Sequence, residues 1–269
     1  MKNTETKKIN DLVYFKNIKI VQDKNYFNFS LDSVLLPNFI ALNLNTKKIM
    51  DLCSGNIPIP LILSTKTNAT IYAVELQKEI YDLAKETLEI NNLTDRIILL
   101  NNNAKEMPNL FETDTFDLIT CNPPYFKLNE NSIINENKIK SIARHEIEIK
   151  LEDIILISKK LLKNGGSLSL VHRTDRLIEI IDTMKRNNIE PKRIRFIYPK
   201  ENTESNLVLI DGRKNGKPSL KILPPLYVHN DDGSYTKEVL KMFGSEIDES
   251  KKLWKKWFWK IISNTNTYW

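Results

Sequence analysis

Asn122-Pro123-Pro124-Tyr125 is the stretch of this chain whose residue types speak most directly of chemistry. It follows the apolar run Phe116, Leu118, Ile119, Thr120, Cys121. Such a run ending in a proline pair predicts a buried strand that stops abruptly, because proline donates no N–H and keeps the preceding residue extended. Asn122 then stands rigidly at a strand tip, the place where ligands sit in open α/β sheets. Its side-chain oxygen and the Pro123 carbonyl can each accept one N–H of a planar amine. That pair holds a weakly nucleophilic nitrogen in plane and offsets the positive charge that builds as a methyl group arrives. Tyr125 offers a ring on which a flipped-out base can stack. No proton need leave before attack, so a neighbouring His or Glu is not required. The competing reading is a strand that ends in a proline turn with an Asn cap.

Such chemistry needs a methyl donor, and the elements before Asn122 supply a place for one. Lys48 to Leu52 reads as a buried strand, with Asp51-Leu52-Cys53-Ser54-Gly55-Asn56 as its loop into a helix beginning near Pro58 or Pro60. Thr70 to Glu75 is a second strand whose closing carboxylate suits the two hydroxyls of a ribose. A dinucleotide would want several glycines against its pyrophosphate, and only Gly55 is present. An adenosyl sulfonium tolerates a wider turn, given an early acid near its amino-acid end and a late acid near the ribose. Asp51 and Glu75 fit those positions. Upstream, a Ser30-Leu31-Asp32-Ser33 turn opens a helix running through Pro37 toward Leu44, with Ser30 or Asp32 as its cap. Asp32 and Ser33 are candidates to close over the cofactor, and a plain helix cap is the alternative.

The remaining elements complete an alternating pattern. An amphipathic helix spans roughly Gln77 to Asn91, a third strand Ile97 to Leu100 leads to Asn101-Asn102-Asn103-Ala104, and Phe116 to Cys121 is the fourth. This alternation predicts a parallel sheet with crossover helices. Further on, Leu151 to Leu162 reads as a helix stopped by Gly165-Gly166, followed by a strand Ser167 to Val171 and a helix Asp175 to Asn187. Ile194 to Tyr198 and Leu207 to Ile210 form the last pair, an antiparallel hairpin at the sheet edge.

Several stretches resemble one family. Class I S-adenosylmethionine-dependent methyltransferases share this strand pattern, and Asn-Pro-Pro-Tyr at the fourth strand is their amino-methylating signature. More narrowly, Phe27 to Leu36, Asp51 to Leu63, Asn122 to Tyr125, Ile142 to Glu146, His172-Arg173 and Leu220 to Leu226 look like the tRNA1(Val) adenine-37 N6-methyltransferases. The resemblance runs from about residue 10 to 244. It implies a Rossmann-like fold with a seven-stranded, mostly parallel sheet, and S-adenosylmethionine held by Asp51, Gly55, Glu75 and the Asn103-Ala104 pair. It also implies a target adenine at Asn122, Pro123, Pro124 and Tyr125. The family usually carries glycine where this chain has Cys53 and Ile57, and often Asp at Asn103.

Composition is consistent with a nucleic-acid partner without establishing one. Net charge is +6 and pI about 9.0, but only eight of the 40 basic residues are arginine, and the chain is rich in Asn, Lys and Ile. Seven arginines follow the Asn-Pro-Pro-Tyr stretch, which points to an anion-binding surface in the second half. Candidate RNA contacts are Arg144 and His145 near the end of a polar loop, Arg173 and Arg176, and Lys255 and Lys256 in a basic, Trp-rich tail helix. Between His172 and Lys200, eight basic side chains face four acidic ones. Two separated cysteines, Cys53 and Cys121, and three scattered histidines predict no disulfide framework and no metal site. The polar start and the lack of a long apolar run predict a cytoplasmic protein without a membrane span; a monomer is the expected state.

Three divisions are expected: residues 1–45 closing over the cofactor, 46–244 the methyltransferase domain, and 245–269 the tail helix. The leading function is N6-methylation of an adenosine in a tRNA anticodon loop. Methylation of a ribosomal guanine or a protein glutamine would use the same geometry, though only 47 residues precede Lys48, little for a separate substrate domain. A non-catalytic RNA-binding protein of the same fold is the reading from another class.

Overall fold

A computed structural model of the chain describes residues 6–13, 17–26, 29–123 and 149–244. It opens with an antiparallel hairpin of β1 (Lys7–Val13) and β2 (Ile18–Asp23), which the sequence reading did not anticipate. Helix α1 (Asp32–Phe39) precedes β3 (Lys48–Leu52), α2 (Pro58–Ser64), β4 (Thr70–Glu75), α3 (Lys78–Asn91) and β5 (Ile97–Asn101). Then come α4 (Met107–Leu110), β6 (Phe116–Cys121), α5 (Leu151–Leu161), β7 (Leu162–Arg173), α6 (Leu177–Arg186), β8 (Ile189–Tyr198) and β9 (Leu207–Lys214). Two short strands, β10 (Lys221–Ile222) and β11 (Leu226–Tyr227), and α7 (Lys237–Met242) complete the described chain.

Seven principal strands form one sheet in the order β8-β9-β7-β6-β3-β4-β5, and β10 and β11 both add to the outer side of β8. Only β9 runs against its neighbours among the seven. The expected edge hairpin is therefore present, with its outer strand partly covered. Buried strands are apolar on both faces because helices lie on both sides. Ile49, Ile71 and Leu118 pack with α1, α2 and α3, whereas Met50, Val74 and Ile119 pack with α4, α5 and α6. Parallel pairing of β6, β3, β4 and β5 brings their C-terminal tips to one rim.

Two local expectations are corrected. The N-cap of α1 is Leu31, no side chain caps the helix, and it ends at Phe39 rather than Leu44. Gly165 and Gly166 do not stop α5. That helix ends at Leu161, and β7 begins at the next residue and runs through both glycines. A Cβ on Gly166 would sit 2.9 Å from the Lys163 carbonyl and 3.1 Å from that of Phe116, so this glycine permits the close approach of β7 to β6 where their register shifts.

Candidate active site

Asp51 lies near the end of β3 and is fully buried. The Thr120 hydroxyl, from the neighbouring register position on β6, donates to its Oδ1. Its Oδ2 is buried and has no hydrogen-bond partner among the described residues. Burial pushes the carboxyl up from 3.8 to about 7; the Thr120 and Ser54 hydroxyls oppose the shift and the nearby Glu75 charge adds to it. An orphaned carboxylate oxygen at a strand tip is costly, and it marks a place suited to a cationic or N–H-bearing ligand group.

After β3 the backbone enters the left-handed region at every second residue: Cys53 at φ 56°, Gly55 at φ 54° and Ile57 at φ 54°. Only the middle position is glycine. The Ser54 amide donates to Val74 O at 2.9 Å, and the Gly55 amide to Glu75 Oε2 at 2.9 Å. Glu75 Oε1 accepts the Gln77 amide at 2.8 Å. The carboxylate at the tip of β4 therefore ties the loop between β3 and α2 to the neighbouring strand. Ile57, at the N-cap of α2, is fully buried in the core, which holds its unfavourable backbone in place.

Asn122 follows β6. Its Nδ2 donates to Ser33 Oγ in the first turn of α1 at 3.2 Å, a contact between the strand tip and the upstream turn that the sequence reading did not anticipate. Asp32 beside it is buried, and burial raises its carboxyl to about 6 against the opposing bonds from its own backbone and Ser30. At the tip of β5, Asn103 Oδ1 caps the following turn by accepting the Lys105 amide at 2.9 Å, and Ala104 is buried. Asp32, Ser33, Asp51, Gly55, Glu75, Asn103, Ala104, Asn122 and Pro123 thus occupy the sheet's C-terminal rim and the adjoining end of α1. Pro124, Tyr125, Arg144, His145, Lys255 and Lys256 lie outside the described residues, as does the Trp-rich tail.

Most of the basic side chains between His172 and Lys200 are paired with acids. Of the eight basic side chains between His172 and Lys200, six form ion pairs: Arg173 with Asp175, Arg176 with Glu179, Lys185 with Glu190, Arg186 with Asp182, Arg193 with Asp211 and Arg195 with Glu238. Arg193 also lies over the Phe39 ring at 4.6 Å and donates to Phe39 O at 3.2 Å, which makes it a structural clamp on α1.

Three arrangements at the strand ends were not foreseen from the sequence. Thr120 orients Asp51 but reads simply as part of an apolar strand. His172, buried at the end of β7, accepts the Arg173 amide at Nδ1 (2.9 Å), and burial lowers it to about 4, so it is a neutral imidazole carrying its proton on Nε2. The two cysteines meet across the strand tips, where burial first, and then the Cys53 thiol, push the Cys121 thiol up. Cys121 pairs in register with Leu52, the neighbour of Cys53, and spacing in sequence gave no sign of it. Among the described residues no helix is long and apolar enough to cross a membrane, and no group of three or more His, Cys, Asp or Glu could hold a metal ion.

A doubly wound sheet whose first strand ends in a buried acid and whose fourth ends in Asn-Pro is the architecture of a class I methyltransferase. The chain belongs to the methyltransferase small domain family, whose model matches residues 30–187. A tRNA1(Val) (adenine(37)-N6)-methyltransferase of Flavobacterium psychrophilum is 27% identical over 232 residues, covering 85% of this chain and 95% of that one. One from Cytophaga hutchinsonii is 26% identical, covering 71% and 79%. In structure, the chain is similar to a predicted O-methyltransferase from Agrobacterium tumefaciens with TM-score 0.63 and 20% identity, covering 79% and 95%. That likeness is one of fold.

Proposed function

We propose that this enzyme methylates N6 of an adenosine in a tRNA anticodon loop, position 37 of tRNA1(Val) by its similarity to the named relatives. The observation that carries the reading is the Asn122 amide, held at the β6 tip between a proline and Ser33, beside a buried Asp51 with an orphaned oxygen. The methyl donor is S-adenosylmethionine, and when bound it supplies an electrophilic methyl on a sulfonium. The residues present fit it: Asp51, whose Oδ2 has no partner among the described residues, would hold its ammonium, and Glu75, whose oxygens accept the Gly55 and Gln77 amides and can each take more than one bond, would hold its ribose hydroxyls. The Gly55-bearing loop runs between them.

With Nδ2 turned to Ser33, Asn122 presents Oδ1 as an acceptor. Oδ1 and the Pro123 carbonyl each take one N–H of the adenine amine, fix it in plane and stabilise the charge it acquires. By resemblance, Tyr125 stacks on the extruded base, and anticodon-loop bases are inexpensive to extrude because they are not paired. Arg144, His145, Arg173, Arg176, Lys255 and Lys256 are the proposed RNA contacts.

The test is transfer of radiolabelled methyl from S-adenosylmethionine to total tRNA from a strain lacking the enzyme, followed by nucleoside analysis. Label is expected in N6-methyladenosine, and Asn122→Ala should abolish it while leaving cofactor and tRNA affinities within a few fold. Label in another nucleoside, or substantial transfer by Asn122→Ala, would overturn the proposal.

A further inference from the structure

The hairpin of β1 and β2 lies outside the main sheet, yet it is bonded to the loop between β3 and α2. Asn56, next to Gly55, donates its side-chain amide to Val21 O on β2. Its Oδ1 accepts the hydroxyl of Thr87 on α3 at 3.2 Å, and the same hydroxyl accepts the Val21 amide at 3.0 Å. This closed ring of three residues from three elements is shielded: Thr87 is fully buried and Val21 nearly so. The hairpin is fastened to α3 a turn further along, where Asn91 Oδ1 accepts the Lys19 amide at 2.9 Å and Asn91 Nδ2 donates to Lys19 O at 2.7 Å. Val21 also packs against Ile80 and Leu83 of α3.

We infer that Thr87 and Asn56 are positioning residues for the cofactor loop, and that the N-terminal hairpin is its brace. This rests on the reading of that loop as the cofactor cradle. Cys53 and Ile57 hold left-handed backbone that glycine would adopt without strain, so the loop is bent against the preference of its own residues. A strained loop keeps one shape only when its surroundings over-determine it. Glu75 does so from the sheet side, through Gly55, and the ring through Thr87 does so from the hairpin side. Holding the loop in its ligand-ready form before binding removes an ordering cost, so the network acts on cofactor affinity rather than on the methyl-transfer step.

The experiment measures, on the full chain, the S-adenosylmethionine dissociation constant by calorimetry together with KM and kcat. Thr87→Val keeps the side-chain shape and removes the hydroxyl. It should weaken cofactor binding roughly five- to tenfold, the size of one hydrogen bond lost from a buried network, with kcat at saturating cofactor unchanged. Thr87→Ser should restore the affinity. A lower unfolding midpoint in Thr87→Val with unaltered cofactor affinity would make the ring purely structural and overturn the inference. If Thr87→Val does not fold, half-exposed Asn56→Ala provides the same comparison. Where both fold, the double variant should lose no more affinity than the weaker-binding single one, and additive losses would also overturn it. Failure of the unaltered chain to bind S-adenosylmethionine would instead refute the cradle reading itself, and this inference with it.

Discussion

Replacing Asp51 by Asn should move stability and cofactor binding in opposite directions. Burial places the Asp51 carboxyl near 7 when folded, against 3.8 for an ordinary aspartate. Between those values the folded chain holds a proton that the unfolded chain releases, so stability falls as pH rises from about 4 to 7 and levels above. At about 1.4 kcal/mol per unit, this group alone costs at most about 4 kcal/mol at pH 8 and about 1.5 kcal/mol at pH 5. Asn removes the titration and still accepts from Thr120, but it brings a buried NH2 whose lack of a partner costs about 1–3 kcal/mol. The ligand-free variant should therefore gain roughly 1–3 kcal/mol at pH 8 and about nothing at pH 5. Urea unfolding at the two pH values measures this directly. S-adenosylmethionine affinity at pH 8 should drop about 10–100-fold, the loss of one charge-assisted bond. An unchanged pH slope in the variant, or a variant less stable than the parent at pH 8, would refute the account of Asp51 as a destabilising charge kept for a ligand.

Substitution of the two left-handed non-glycine residues separates strain from packing. Cys53→Gly relieves about 1–2 kcal/mol of backbone strain and gives back about 0.4–1 kcal/mol through the freer unfolded chain, so its urea midpoint should rise slightly or hold. Ile57→Gly relieves the same strain but empties a fully buried site, and should lose about 2–3 kcal/mol net; a shift of both in one direction would contradict the strain argument. Arg173→Ala with Arg176→Ala removes two surface ion pairs and should change stability by less than about 1 kcal/mol. The same pair should lower the slope of log affinity for tRNA against log salt by about 1–2, read by filter binding. An unaltered slope would place the RNA surface elsewhere.

The central strands were legible because each is buried on both faces. Lys48–Leu52, Thr70–Glu75 and Phe116–Cys121 are short apolar runs bounded by polar turns, and the structure has them at those bounds. The first hairpin was not legible. Its strands mix charged and apolar residues, pair only with each other, and take their shelter from α3, so nothing local distinguishes them from a polar leader. The helix ends within a residue of its expected bound, but the glycine pair that read as its stop lies inside β7, which starts at Leu162 rather than Ser167 and has Gly166 where a Cβ would crowd β6.

The sequence by itself determined which strand tips carry Asp51, Glu75 and Asn122, since buried parallel strands announce their ends and ends fix what projects from the rim. Only the tertiary structure decided how those residues are held. Asp51 Oδ1 takes the Thr120 hydroxyl while Oδ2 has no partner among the described residues, Asn122 meets Ser33 across 89 positions of chain, and Arg193 is held by Asp211 and Phe39 rather than offered to an anion. Each depends on contacts between residues far apart in sequence, whose distances and partners follow from packing rather than from local pattern.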